Sequence, residues 1–152
     1  MKAQDRFEQF LQGIDDYIAG ADVKPPEFDE DYKVAENLTM EEMQKLTRDE
    51  CFDYAFLLTQ YSDHIASERH RQQTILYWCE SNLNKIIIND YFQQPEFTKH
   101  DLKMAAVLKE NQLADKIDKW RLTAQCRVTF LEGREKNVRK KAELLHDKGR
   151  RK

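Results

Sequence analysis

Four histidines and three cysteines are the residues of this chain best suited to hold a metal or act as nucleophiles, and their spacing favours neither use. His64, His70, His100 and His146 form no H-E-x-x-H pair, so they lack the spacing by which two imidazoles on one helix face share a zinc ion. Cys51, Cys79 and Cys126 are isolated, without a C-x-x-C, and read as reduced core or groove residues. The four glycines stand apart from one another, so no loop presents successive backbone N–H groups to a phosphate. Carboxylates are plentiful, as expected of solvated helical faces. No nucleophile, base and orienting group can be assembled from these residues. The expectation is no catalytic residue, no metal and no cofactor, in a protein that binds or scaffolds.

Binding chemistry is better represented. Arg69-His70-Arg71 lies inside Ser67–Thr74, a stretch without an apolar side chain. Lys116, Lys119 and Arg121 surround Trp120, and Arg127, Arg134 and Lys141 follow that tryptophan at sevens. Arg139-Lys140-Lys141 and Arg150-Arg151-Lys152 add two basic runs. Lys and Arg neutralise phosphates, and unpaired bases stack on aromatic rings for about 1–3 kcal/mol each. The candidate nucleic-acid-binding residues are therefore Arg69, His70, Arg71, Lys116, Lys119, Trp120, Arg121, Arg127, Arg134, Arg139, Lys140 and Lys141. The competing reading makes Trp78 and Trp120 core residues and the charges ordinary surface, because apolar stripes at helical spacing usually pack inward.

Charge is distributed unevenly. The net charge is −3, with 35% charged residues. Residues 1–53 carry six Lys/Arg against fifteen Asp/Glu, a balance of −9, and residues 134–152 carry nine against three, a balance of +6. Each end can pair with an external charged partner or with the other. In the internal case the tail lies beside Glu41, Glu42, Asp49, Glu50 and Asp53, in exposed pairs that contribute under about 1 kcal/mol each.

The elements that position these groups are helices. Scarce Gly and Pro, four and three, suit long helices better than a turn-rich α/β fold. Phe7, Phe10, Leu11, Ile14, Tyr17 and Ile18 make one stripe on a helix over 5–19, closed by Gly20. Ala21–Lys33, with Pro25-Pro26 and repelling acids, reads as a linker. Thr39 with Glu42, Thr47 with Glu50, and Thr98 with Asp101 each match a capping box flanked by apolar residues, which sets helix starts near 40, 48 and 99. No Gly or Pro interrupts Arg48 to Asn89, so one helix of about 60 Å is expected there. Ile86–Ile88 could make a short strand, but no second strand is available to pair with it. Asp90–Phe97, with Pro95, is the turn.

A second long helix is expected from Lys99 to Leu145, with Gly133 inside it. Ile117, Ala124, Leu131, Val138 and Leu145 recur at sevens, widened by Ala114, Val128 and Ala142, the spacing of antiparallel or coiled-coil packing. A mirror centre near 94–95 sets His70 opposite Lys119 and Thr47 opposite Ala142. The fold class is thus all-α: a long antiparallel helical hairpin over 38–152 with a basic tail, preceded by a short helix and acidic linker over 1–37. Two such helices cannot cover all of each other's apolar surface, so a homo-oligomer is expected.

This layout resembles the phage recombination mediators of the UvsY type. The resemblance covers about residues 50–145: a long helix with a basic centre (Glu68-Arg69-His70-Arg71), the aromatic Tyr77-Trp78, a turn, and a second long helix holding Lys119-Trp120-Arg121 and Phe130-Leu131-Glu132. It is a likeness of arrangement without a diagnostic motif. The acidic 37-residue front extension and the very basic end depart from it, so ring size and recombinase contact do not carry over. The resemblance implies single-stranded DNA binding in recombination and repair, with loading of a RecA-like recombinase. The alternative is a helical assembly or adaptor protein, such as a virion or scaffold component. With no run of about 18 apolar residues to span a membrane and no secretory leader in MKAQDRFEQF, a cytoplasmic location is expected, in the host cell if the protein is phage-encoded.

Overall fold

A computed structural model describes residues 3–20, 31–91 and 99–152. They form six helices: α1 (Ala3–Gly20), α2 (Asp31–Glu36), α3 (Met40–Lys45), α4 (Arg48–Tyr91), α5 (His100–Glu110) and α6 (Gln112–Arg150). Among the described residues there is no strand, and Ile86–Ile88 is helical. The all-α class and the pairing of two long helices are therefore as expected. Asp90 and Tyr91, expected in the turn, close α4, and Asp31–Lys33, expected in the linker, open α2; the other turn residues 92–97, the cap candidate Thr98 and linker residues 21–30 lie outside the described residues.

Two of the capping boxes are present. Thr39 Oγ1 accepts from the Glu42 N–H at 3.2 Å and Glu42 reaches back to the Thr39 N–H at 3.4 Å. Thr47 and Glu50 repeat both bonds at the same distances. Each box satisfies two backbone donors left over at a helix start, which is why α3 and α4 begin where they do. The third start, at α5, has Lys99 as its cap with no side-chain bond.

The expected single helix from Lys99 is interrupted at Asn111. This residue is extended, with φ −107° and ψ 104°. Its N–H donates to the Val107 carbonyl at 2.9 Å, closing α5, and its Oδ1 accepts from the Ala114 N–H at 3.1 Å, opening α6. Asparagine is among the best cap residues. The apolar period nevertheless continues across the break, because Val107 and Ala114 stand seven apart and both are buried. Gly133 does not interrupt α6, which runs on to Arg150.

The chain forms two compact units, both discontinuous in sequence: Met1–Tyr17 with His70–Val128, and Ile18–Arg69 with Thr129–Lys152. In the first, Ile75, Cys79, Leu83 and Ile87 of α4 bury against Val107, Ala114, Ile117 and Ala124, and Phe7 of α1 completes the cluster. In the second, Ala55, Leu58 and Ile65 of α4 meet Val138, Ala142 and Leu145 of α6, joined by Ala35 and Met43 from the two short helices. The stripe of sevens thus faces α4 in each unit, as the spacing required.

Register differs from the expected mirror. In the second unit Phe52 rests against His146, with rings 5.4 Å apart, and Ser62 and Arg69 both meet Glu135. Neither fits a centre at 94–95, which would set His70 against Lys119 and Thr47 against Ala142. The partners fall further toward the C-terminus than that centre sets them. Tail and acidic segment do meet, but through different groups. Arg134 pairs with Glu36, Lys141 Nζ donates to the Glu36 carbonyl at 2.8 Å, and Lys152 donates to the carbonyls of Met43, Gln44 and Leu46. That ammonium covers carbonyls at the end of α3, where cations are favoured. Glu41 pairs instead with Lys45 on its own helix, and Glu42 and Glu50 belong to the capping boxes.

Gly149 lets α6 close on α4. A Cβ there would stand 3.0 Å from a Phe52 ring carbon and 3.1 Å from the Cys51 Cβ, whereas one at Gly133 meets nothing within 4 Å. Gly149→Ala is expected to destabilise the protein by about 1–3 kcal/mol through overpacking, and Gly133→Ala to stabilise it by up to about 1 kcal/mol through helix propensity; urea unfolding of the two variants checks the opposite signs. Glu135→Ala leaves Arg69, 19% exposed at its side chain, without its carboxylate. A loss of about 2–4 kcal/mol is expected, at the low end because the pair is not wholly desolvated, and the same unfolding measurement reads it.

Candidate nucleic-acid interface

The candidate residues separate into those held by the fold and those presented by it. In the first unit the rings of Phe7, Phe10, Trp78 and Trp120 pack into the core cluster. Phe7 stacks on Trp120 with centroids 3.9 Å apart and planes 7° from parallel. Trp78 lies 5.0 Å from Phe7 and 5.2 Å from Phe10. A helix with Phe7, Phe10 and Leu11 on one stripe docks here because these rings give it a large apolar area to bury. The tryptophans thus meet α1, as the core reading of Trp78 and Trp120 has it.

The cations around Trp120 are also engaged locally. Lys116 Nζ donates to Gln4 Oε1 at 3.0 Å and stands 5.3 Å from the Trp120 ring centroid. Lys119 pairs with Asp115 at 3.1 Å and Arg121 with Asp118 at 2.9 Å; the Arg121 guanidinium also donates to Gln125 at 3.3 Å. His70 and Arg127 are exposed and Arg71 is half-buried.

The second unit gathers Arg69 from α4 with Lys136, Arg139 and Lys140 from α6 around a groove of about 400 Å³, together with Glu132, Glu135 and Glu143. The sequence had placed Arg69 with Lys116, Lys119 and Arg121; the register shift joins it to the tail residues instead. Glu135 is nearly buried and accepts from Arg69 Nε at 2.8 Å and Arg139 Nη2 at 3.0 Å. Two cations on one carboxylate compensate its desolvation. Arg134 is fixed by Glu36, whose carboxylate accepts from the guanidinium and, against the opposing effect of burial, raises its pKa above the ordinary arginine value. Its guanidinium also lies 5.8 Å from the Tyr61 ring centroid. Lys141 is half-buried, holding the Glu36 carbonyl.

Lys136, Lys140, Arg150 and Arg151 remain exposed, with no ion pair among the described residues. Lys136 was missed in the sequence. Its signal was the i, i+4 spacing to Lys140 on the face of α6 opposite the stripe of sevens. Arg150 and Arg151, with Asp147, line a shallow hollow of about 380 Å³.

Among the described residues no three His, Cys, Asp or Glu side chains gather as a metal site, and no helix is long and apolar enough to cross a membrane. The chain matches no family model, no curated protein and no solved structure.

Cys51 and Cys79 are buried and Cys126 is exposed. Burial pushes the Cys79 thiol up to about 11, more than the nearby Arg121 charge lowers it, and Glu80 raises it further. A thiol-specific reagent at neutral pH is expected to modify Cys126 alone, and all three cysteines only after unfolding, as intact mass will show. Since the folded thiol titrates above its unfolded value of 9.0, its stabilising contribution is complete below about pH 9 and is lost as pH rises toward 11.

Proposed function

We propose that this protein is a non-enzymatic, single-stranded DNA-binding accessory protein of recombination and repair. The observation that carries the reading is the sorting of the basic tail. Arg134, Lys141 and Lys152 hold the fold, while Lys136, Lys140 and Arg150 on α6, and Arg151 just past its end, stand exposed without a carboxylate partner among the described residues. Along a straight helix the span from Lys136 to Arg151 is about 22 Å, a rigid row over which several phosphates can be neutralised at once. Such contact is electrostatic and indifferent to sequence, which suits a protein that coats or hands on a strand. Help in loading a RecA-like recombinase is the finer part of the proposal, and it rests on the likeness of arrangement to the UvsY type. The core position of Trp120 shifts the expected mode from stacking to charge.

A second reading, an oligomeric helical adaptor, is favoured by large apolar side chains left in solvent. Phe56, Tyr77 and Phe130 are each more than three-fifths exposed. A gel shift with a single-stranded oligonucleotide at two salt concentrations separates the readings. Binding should weaken steeply with salt, and Lys136→Ala, Lys140→Ala and Arg151→Ala together should reduce the slope of log K against log salt by about 2, at about 0.7 per phosphate contact on single strands. An oligomer that does not bind the strand, or binding that the triple variant leaves intact, would overturn the DNA reading and leave the adaptor.

A further inference from the structure

A second concave surface of the Ile18–Arg69 and Thr129–Lys152 unit lies between α4 and α6. It is a groove of about 890 Å³, floored by Ala55, Thr59 and Ala142, with Phe52 and Phe56 on one wall and Arg139, Glu143, His146 and Asp147 on the other. The floor is made of small side chains. The one hydroxyl among them, on Thr59, already donates to the Ala55 carbonyl at 2.8 Å, so the floor asks for an apolar partner. Phe56 stands beside it and is 63% exposed. A large ring next to a shallow apolar hollow makes a knob and a hole on the same face.

We propose that this groove seats a second copy of the same chain, related by a two-fold axis near Ala142, with Phe56 of each copy entering the hollow of the other. Two properties of the wall select that occupant. Its charge is of mixed sign: Glu143 and Asp147 beside Arg139 would repel a phosphate backbone, and a partner of either single sign would meet like charge. A copy running antiparallel meets the same pattern reversed, and an axis passing between residues 139 and 143 sets Arg139 of each copy against Glu143 of the other. A two-fold contact also requires one patch to be complementary to itself, which a knob beside a hole satisfies. The inference stands apart from strand binding, since Lys136, Lys140, Arg150 and Arg151 do not line this groove.

Native mass spectrometry and light scattering on the full chain test it. The wild type should be a dimer or a multiple of two, and Phe56→Glu should halve the mass with helicity unchanged by circular dichroism. Glu143→Arg, at an exposed position, should weaken the dimer at least tenfold with helicity unchanged, and Glu143→Gln, which removes the charge without reversing it, should weaken it less. If Phe56→Glu loses helicity, the charge reversal decides alone. A monomeric wild type, a folded Phe56→Glu of unaltered mass, or a Glu143→Arg that dimerises as tightly as the wild type would overturn the proposal.

Discussion

A stripe that repeats every seven residues says which face of a helix is buried, but not how far along its partner it sits. A slide of seven residues, about 10.5 Å, re-forms nearly the same apolar contacts. In this protein the choice falls to Glu135. Its carboxylate is nearly buried at the level of Arg69 and is shared with Arg139, while its backbone carbonyl lies within 3.5 Å of the Ser62 hydroxyl. Another register would part Glu135 from Arg69 and leave it with Arg139 of its own helix alone, losing a charged hydrogen bond of about 1.5–3 kcal/mol. The placement of Phe52 on His146 and of Gly149 under Cys51 follows once that one pair is set.

Much of the architecture was legible because it rests on local rules. Thr39 and Thr47 announce helix starts through bonds that close within three residues, and the sevens from Ile117 to Leu145 announce the buried face of α6. The break at Asn111 was hidden because period and cap gave opposing signals: burial at Val107 and Ala114 continues the stripe, while one extended residue divides the helix. The register was hidden for a related reason. Chain symmetry counts residues, whereas the pairing of Arg69 with Glu135 depends on side chains 66 residues apart finding one another.

The candidate interface was legible in kind and misplaced in detail. Composition marks the tail as basic, yet it cannot tell a lysine that covers the carbonyls of α3 from one that faces water. Lys141 and Lys140 are neighbours in sequence and opposite in use, because 100° of helical rotation turns one toward Glu36 and the other outward. Trp120 likewise had the residue type of a stacking platform, and only the docking of Phe7 shows its ring packed against another part of the chain.

The pairing of Phe7 with Trp120 has a consequence for synthesis. About 110 residues of chain separate the two rings, so this contact is among the most non-local in the molecule. At roughly 5–20 residues per second, α1 waits several seconds or more on the ribosome before its docking surface is complete. Trp78, which meets Phe7 and Phe10, is made first, and Phe7 lacks its stacking partner until Trp120 follows. Asp5, Glu8 and Asp16, on the same helix, keep the waiting segment charged and disfavour its association with neighbouring nascent chains.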